Sequence, residues 1–487
     1  MQRWAFLSLS GSGAKKGAGD MLSGCLRKTS EAKEACLDAK AERSPAELAA
    51  QFLGAHPEID YADLLISDLN GIIRGKSAPA KSLIKAAEPG MNLPLSIFGL
   101  DIWGREVDST NLHIETGDKD GFCRMIPGRV SLIPWSDQPG AQALLSMYCE
   151  DGSPFAADPR HALQGVVDRL AAKGLRAVTA MELEFYLVEE ESYLQKGQMS
   201  EDATFGPDQQ EMYALSALGG RDGLFEAIRS AAKAQELPVD TIIKEAAPGQ
   251  YEVNLYHRDD PLVAADDAVL LRRLIGGLAR QAGFRATFMP KPFGHWPGNG
   301  LHVHASLLND DGDNIFAGED GHALLGRAAA GLLATMRDCQ LVFIPSFNGY
   351  RRLTPGSYAP TALAWGWNNR SVAVRVPASD DAALRLEHRL SGADANPYLV
   401  MSAVLGGMLH GMDEKLAAPE PMEGNAYDAN LPSLTDEMDE AIDAFAGSAF
   451  TKNLFGETLH HVFTEIKRAE ILEFWNEITP LERSTYL

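Results

Sequence analysis

The chain is short of cysteine, of basic residues relative to its acids, and of long apolar runs. Its five cysteines (Cys25, Cys36, Cys123, Cys149 and Cys339) are widely spaced, with no Cys-x-x-Cys pair among 487 residues. That usage fits neither a disulfide framework nor a thiolate zinc site, and it predicts a reducing, cytoplasmic setting. Lysine and arginine number 44 against 67 acids, a net charge of −23. So acidic a chain repels polyphosphate backbones, which argues against nucleic acid as a partner. Any phosphate chemistry must then rest on a few placed cations or on metal ions. The longest apolar stretch, Tyr398 to Met412, is interrupted by Ser402, Gly406, Gly407, His410 and Gly411. It is too short and too polar to cross a bilayer and reads as a core helix, so no membrane is expected. The chain also lacks a G-x-x-x-x-G-K-[ST] loop, a protein-kinase signature and any internal repeat.

What is present divides the chain into three stretches. Residues 1–44 are rich in Lys, Ser, Gly and Ala without a long apolar period, and read as a flexible N-terminal extension. Residues 45–150 read as a small sheet-rich domain. Its helix is expected at Ala46–Gly54. An alternating strand, Tyr61–Asp68, is followed by the turn signal Asn70-Gly71 and a returning strand, Ile72–Lys76. Further short strands are expected around Leu95–Ile102 and Val130–Pro134. Residues 151–487 alternate helical patterns such as His161–Lys173 with strands, as a larger domain would.

The acids of that larger domain fall on apolar strands. In Val178–Val188, alternation turns Glu182 and Glu184 to one face while Leu183 and Phe185 enter the core. Two such carboxylates repel each other unless a cation lies between them. In Glu245-Ala-Ala-Pro-Gly-Gln-Tyr-Glu252, the Pro248-Gly249 turn brings Glu245 and Glu252 to one end of a hairpin. Gly298-Asn-Gly-Leu-His302-Val-His304-Ala-Ser306 sets His302, His304 and Ser306 on one strand face after a turn whose glycines admit a ligand close to the backbone. Cations follow at Arg351, Arg352, Arg370, Arg375, Arg385 and Arg389, with Arg385, Glu387 and Arg389 sharing a face. Taken singly, each element is equally well a solvated or salt-bridged strand. Together, five carboxylates and an imidazole form a hard-oxygen inventory suited to two Mg²⁺ or Mn²⁺ ions, beside arginines able to neutralise a transferring phosphoryl group.

These motifs, in this order, resemble those of glutamine synthetases. The resemblance includes Arg352-Leu-x-Pro-Gly, Asn-Arg370-Ser-x-x-x-Arg375 and Ala393-Asp-Ala-Asn-Pro-Tyr-Leu399, and spans most of the chain. Within the family the sequence is most similar to the gamma-glutamylputrescine synthetase branch, through Asp68–Lys76, Glu252–His257, Trp365–Arg370 and Gly392–Met401. The resemblance implies an α+β fold, with a small N-terminal β-grasp domain before a catalytic domain built on a curved antiparallel sheet. It implies ATP-dependent ligation of L-glutamate to an amine through a γ-glutamyl phosphate, in a ring-shaped homo-oligomer, usually a dodecamer in this family, with active sites between subunits. One metal would be held by Glu184, Glu245 and Glu252, the other by Glu182, His302 and Glu387. ATP would meet His304, Ser306, Arg370, Arg375 and Arg385, and glutamate would meet Gly298, Arg352 and Arg389. Arg370, Glu252 and Asp101 are the residues implied in catalysis, Asp101 acting across a subunit boundary. The segment Asn425-Ala-Tyr427-Asp428 faintly resembles the adenylylation site of some bacterial members, and is as easily an ordinary loop.

One departure bears on the substrate. The family's loop after Arg-Leu-x-Pro-Gly carries a glutamate that caps and deprotonates ammonium, whereas this chain reads Pro355-Gly-Ser-Tyr358-Ala-Pro360. A phenol near its normal pKa supplies no negative charge there. Tyr358 therefore predicts a pocket for an alkyl or aryl amine: a polyamine such as putrescine first, otherwise ethanolamine, a monoamine or an aromatic amine.

Overall fold

The computed structural model describes residues 44–190, 212–219 and 221–487. The expected N-terminal extension, apart from Ser44, lies outside the described residues. The first described helix, Pro45–Ala55, starts where Ser44 and Glu47 close a reciprocal capping box around Pro45 in the first turn. Strands β1 (Tyr61–Ser67) and β2 (Ile73–Pro79) form the expected hairpin. Its turn is pinned by buried Asp68, which accepts from the Ile72 amide (2.8 Å) and from Arg74 Nε (2.8 Å). Gly75 in β2 has φ +142°, and a Cβ there would lie 1.8 Å from the Leu64 carbonyl, so only glycine fits.

Strands β3 (Met91–Pro94), β4 (Asp120–Leu132) and β5 (Gly140–Tyr148) complete a five-stranded sheet of order β2-β1-β5-β4-β3, in which β1 and β5 run parallel. The helices Pro45–Ala55 and Ser82–Ala87 pack their Ala49, Leu83 and Ala86 onto one face of it, the β-grasp arrangement. The strand expected at Leu95–Ile102 is instead a 3₁₀ turn, Leu95–Gly99. Ser96, Ile97, Phe98 and Gly99 are buried consecutively, and consecutive burial is what a compact turn produces and an alternating strand does not. β4 begins ten residues before the expected Val130, because Pro127-Gly128 breaks its register between Met125 and Val130 without ending it.

The larger sheet has the path β11-β12-β13-β10-β6-β8-β7, with β9 pairing the far end of β6. Its strands are β6 (Arg176–Glu189), β7 (Val239–Lys244), β8 (Gln250–Leu255), β9 (Phe284–Thr287), β10 (Leu301–Leu308), β11 (Trp365–Trp367), β12 (Val374–Val376) and β13 (Leu386–His388). All pairings except β11 with β12 are antiparallel. One face is apolar: Met181, Leu183, Phe185, Tyr251, Val253, Leu301, Val303 and Ala305 are fully buried. That core continues into the helices Pro159–Ala171, Pro261–Gln281, Gly318–Thr335 and Pro397–Asp413. The last is the expected core helix, capped by Asn396, and it crosses Gly318–Thr335 where Gly331 meets Gly407 and Gly411; a Cβ on Gly331 would lie 2.1 Å from the Gly407 carbonyl. No helix among the described residues is long and apolar enough to cross a membrane.

The two sheets are tied by buried charge. Arg129 of β4 reaches Asp266 (3.2 Å) and Asp267 (2.8 Å) of helix Pro261–Gln281, which also receive Arg160 (2.9 Å), Arg258 (2.7 Å) and the Tyr398 hydroxyl (2.7 Å). Fully buried carboxylates are tolerated only with this density of donors.

Candidate active site

The polar face of the larger sheet carries one continuous row of charge, and the strand register explains it. Glu184 on β6 faces Glu252 on β8; Glu182 lies between Asn254 on β8 and His302 on β10; His304 faces Glu387 on β13, which faces Arg375 on β12. Residues two apart on each strand share this face, while their neighbours fill the core. Sequence alternation alone therefore placed Glu182, Glu184, His302, His304 and Glu387 on the side where the structure finds them.

Hydrogen bonds fix the imidazoles. Arg385 Nε donates to His304 Nδ1 (3.1 Å), so the ring proton of His304 is on Nε2, which donates to Glu182 Oε1 (2.9 Å). His302 Nδ1 donates to Glu182 Oε2 (3.0 Å), leaving its Nε2 lone pair directed at the face. Glu184 accepts from the Gly300 amide at 2.6 Å. Buried Glu387 receives Arg375 at 2.7 Å and, on its other oxygen, Arg389. The second N–H direction of both guanidiniums, Arg375 Nε and Arg389 Nε, is buried without a hydrogen-bond partner.

Charge is distributed unevenly along the row. Burial raises the pKa of Glu387, yet the attraction of charged groups, Arg389 first among them, outweighs it and holds the carboxyl at about 2. Glu182 is likewise held well below the carboxylate range by His304 and His302 against burial. The other end has no such compensation. Burial, then Glu182, Glu184 and Glu245, push Glu252 well above the ordinary range. Burial and Glu184 push Glu245 up to about 7, despite Lys244 and Arg370. An anionic cluster short of cations is what the protein part of a divalent-ion site presents.

The donors fit such ions. Ligand atoms of Glu182, His302 and Glu387 lie within 4.8 Å of one another, as do those of Glu184, Glu252 and His302. The first group is one of the two sets that the resemblance implies. In the second, His302 stands where Glu245 was expected, while Glu245 contributes its charge from the adjoining hairpin end. Carboxylate oxygens with one imidazole suit Mg²⁺ or Mn²⁺.

The glycines around the row leave space at one point. A Cβ on Gly300 would stand 3.1 Å from His302 Nε2, 3.3 Å from Arg352 Nη2 and 3.5 Å from Glu184 Oε2. Three functional groups thus converge where that side chain is missing. Gly298 is equally constrained, since its Cβ would lie 2.5 Å from the Pro290 carbonyl and 2.6 Å from Arg352 Cγ; its own carbonyl accepts from Gln250 Nε2 at 3.0 Å. Arg352 and Arg389 are both buried, and Arg352 Nη1 is fixed by the Leu390 carbonyl (3.0 Å).

On the other side of Glu182 a cavity of about 410 Å³ is lined by His304, Ser306, Arg385, Asn254, Tyr256 and His257 among others. Ser306, His304 and Arg385 are three of the residues for which the resemblance implies contact with ATP. Asn254 and Tyr256 were missed, although the alternation that selects Glu252 reaches them two and four residues later. Arg370 is exposed, and its charge acts on Glu245 and on the Tyr213 phenol. Tyr213 was missed too. The bond from its amide to the Lys244 carbonyl (3.0 Å) ties it to the hairpin, and no spacing in the sequence announces that.

Tyr358 is exposed, with φ +61° at the tip of its loop. The phenols whose ionisation it influences are Tyr213 and Tyr427, and the Tyr427 hydroxyl donates to the neighbouring Ala359 carbonyl (2.9 Å). Trp365 is buried, and its indole N–H donates to the Pro419 carbonyl (2.7 Å). Asp101 is not in the row. Its carboxylate accepts from the Trp103 amide (2.9 Å), the Arg105 amide (2.8 Å) and Arg105 Nε (2.7 Å), and none of these bonds reaches a residue of the large sheet.

Comparison with known proteins adds to this geometry. Residues 156–486 match the family model described as glutamine synthetase, catalytic domain. The gamma-glutamylputrescine synthetase of Escherichia coli (strain K12) is 38% identical over 440 residues, covering 89% of this chain and 92% of its own. The gamma-glutamylethanolamide synthetase of Streptomyces coelicolor is 32% identical over 88% of this chain and 93% of its own, and a glutamate–isopropylamine ligase of Pseudomonas sp is 30% identical over 90% and 96%. A solved structure of apo GmaS without ligand superposes with a TM-score of 0.78 at 27% identity, covering 89% of this chain and 98% of its own. The chain therefore belongs to the glutamine synthetase family and is an ATP-dependent ligase.

Proposed function

We propose that the protein joins the γ-carboxylate of L-glutamate to an amine other than ammonium, most simply a polyamine such as putrescine. The observation that carries this reading is Tyr358, where an acid is needed to bind ammonium. The relatives named for putrescine, ethanolamide and isopropylamine chemistry agree with it.

A carboxylate is a poor acyl donor because its oxygen leaves badly. Phosphorylation by ATP converts that oxygen into phosphate, and the amine then displaces it. Ser306, His304, Arg385 and Arg375 would orient the nucleotide phosphates. Arg352 and Arg389, with the Gly298 backbone, would hold glutamate so that its side chain enters the gap left at Gly300. Arg370, at the exposed rim, would meet charge developing on the transferred group. Glu252, ionised once its metal is bound, would stand beside the reacting carboxylate, and Tyr358 with Tyr213 and Tyr427 would enclose the amine's carbon chain. Two divalent ions, one held by Glu182, His302 and Glu387 and one by Glu184, Glu245 and Glu252 with His302 adjoining, would supply charge neutralisation for the phosphoryl oxygens and the glutamate carboxylate. Closure against water preserves an acyl phosphate for the amine.

We also infer a homo-oligomer with sites completed by a neighbouring copy, as in a dodecameric ring. The exposed Ile102 and Trp103 beside Asp101, and the exposed Trp475, Ile478, Leu481 and Tyr486 at the C-terminal end, support it, since exposed aromatic and aliphatic surface of this kind favours association. In that assembly Asp101 would act on the neighbour's amine. A second reading, in which the amine is ethanolamine, a monoamine or an aromatic amine, is favoured by the three phenols, because such an amine, unlike a diamine, needs no acid for a distal ammonium. Phosphate release from ATP with glutamate, Mg²⁺ and a panel of ammonium, putrescine, spermidine, ethanolamine, isopropylamine and aniline separates these. Strong turnover with ammonium would overturn the reading.

A further inference from the structure

Away from the charge row, a cavity of about 340 Å³ lies between the β1–β2 turn, helix Pro261–Gln281 and β9. Arg272, Arg273, Arg280 and Arg285 are four of its ten lining residues, in a chain where acids outnumber bases 67 to 44. Such a concentration needs either matching acids or a ligand.

The acids match only half of it. Arg273 pairs with Asp63 and donates to Gln142 Oε1 at 2.8 Å. Arg285 pairs with Glu190 through contacts of 2.8 and 3.2 Å. Among the described residues Arg272 has one hydrogen bond, from Nη2 to the Ala395 carbonyl (2.7 Å), its guanidinium lies 5.8 Å from the centroid of the Phe288 ring, and its Nε is buried without a hydrogen-bond partner. Asp394 is the acid whose charge acts on it, and one oxygen of that carboxylate is taken by Ser346 (2.6 Å). Burial pushes Arg272 down to about 10, which marks a guanidinium whose charge is poorly answered. Arg280 has no ion pair or side-chain hydrogen bond among the described residues; Glu190, already engaged by Arg285, is the acid within its influence.

Helix geometry makes these two residues a pair. Arg272, Gly276 and Arg280 are spaced i, i+4, i+8, so they lie along one helix face, about 12 Å from first to last. Gly276 between them has nothing within 4 Å of where its Cβ would stand, leaving the floor of the cavity open. Two long guanidinium side chains can close over that floor from either end. Guanidinium forks suit carboxylate and phosphate oxygens, and the volume admits only a small molecule.

We propose that this cavity binds a small anion bearing two phosphate or carboxylate groups, one engaged by Arg272 and the other by Arg280 across Gly276. The site is independent of the proposed choice of amine. Titration calorimetry on the full-length metal-free protein tests it, with pyrophosphate, succinate and inorganic phosphate as probes. The variants are Arg280→Gln, which changes an exposed side chain, Gly276→Leu, which fills the floor with a good helix former, and Arg385→Gln, which disables phosphate contact at the charge row. The expected result is saturable binding of pyrophosphate or succinate, weakened at least about tenfold in the first two variants, as expected for losing a charged hydrogen bond, and retained in the third. Preference for pyrophosphate or for succinate names the chemistry of the ligand. The proposal is overturned if neither probe saturates below about 10 mM, or if Arg280→Gln and Gly276→Leu leave the affinity unchanged. It is equally overturned if Arg385→Gln alone abolishes binding, or if inorganic phosphate binds as tightly as the two-headed probes.

Discussion

Replacing Gly300 by alanine separates the site's chemistry from the fold more cleanly than removing a ligand does. Its φ is not in the left-handed region, so alanine meets no backbone strain, and its amide still donates to Glu184. The three nearest atoms to the new methyl are side-chain atoms, at 3.1 Å (His302 Nε2), 3.3 Å (Arg352 Nη2) and 3.5 Å (Glu184 Oε2). They can yield by a few tenths of an ångström, at a cost of about 1 kcal/mol or less, partly offset by the lower entropy of an unfolded chain with alanine. In a chain of this length that moves Tm by only about 2 °C. Function responds differently, because the methyl fills the point on which an imidazole lone pair, a guanidinium and a carboxylate converge. Any group bound there must shift by roughly its own radius, and a displacement of about 1 Å is worth about a hundredfold in rate. The measurement is steady-state phosphate release with ATP, glutamate and the best amine, beside a thermal melt. We expect kcat/KM down about a hundredfold with Tm nearly unchanged. Wild-type kinetics in a folded Gly300→Ala protein would mean that the gap is not where glutamate or a metal sits, and the assignment of this face would fail.

Other perturbations address separate links in the argument. Tyr358→Glu should lower KM for ammonium at least about tenfold, through a charged hydrogen bond, and weaken the preferred amine; Tyr358→Gly, which relieves the positive φ without adding charge, should not help ammonium. Glu184→Ala should abolish Mg²⁺-dependent phosphate release, and turnover at the wild-type rate would refute the metal assignment. Because metal-free Glu245 is raised to about 7, Mg²⁺ must displace its proton below that pH. Apparent Mg²⁺ affinity should therefore be fullest above about pH 7 and weaken as pH falls through it, with proton release visible by calorimetry in buffers of different ionisation enthalpy; a flat profile from about pH 6 to 8 would count against it. The linked stability runs the other way: an acid raised in the folded state makes the metal-free protein lose stability as pH rises from the ordinary carboxylate range to about 7, and saturating Mg²⁺ should remove that slope. Arg129→Met leaves buried Asp266 and Asp267 short of a shared donor, so unfolding by denaturant should show a loss of about 3–5 kcal/mol.

The contrast between what the sequence shows and what it conceals follows from the range of the forces involved. Strand alternation is a local rule, and Leu183, Phe185, Val303 and Ala305 satisfy it by burial, which forces Glu182, Glu184, His302 and His304 onto the other face. The β-hairpin at Asp68–Gly71 and the core helix at Pro397 are legible for the same reason, since turn chemistry and capping act within four residues. Leu95–Gly99 misleads because its apolar residues fit a buried strand as well as a compact turn, and only packing against the rest of the sheet decides between them.

Contacts made by loops across long chain separations have no such local signature. Tyr213 joins the hairpin through one main-chain bond to Lys244, and the ties of Arg129 to Asp266 and Asp267 cross well over a hundred residues. Nor does spacing reveal that His302 stands within reach of both carboxylate groups, because that depends on how β10 sits between β6 and β13. An imidazole with one nitrogen committed to Glu182 has a single lone pair to offer, so it can serve only one ion at a time. The two ion sites are then unequal: the one including Glu387, whose carboxyl stays ionised down to about pH 2, is charged at any working pH, while the one beside Glu245 and Glu252 becomes fully anionic only when its ion or a higher pH removes the protons. Filling should therefore be ordered, the Glu387 site first, and only the second step should carry the proton release.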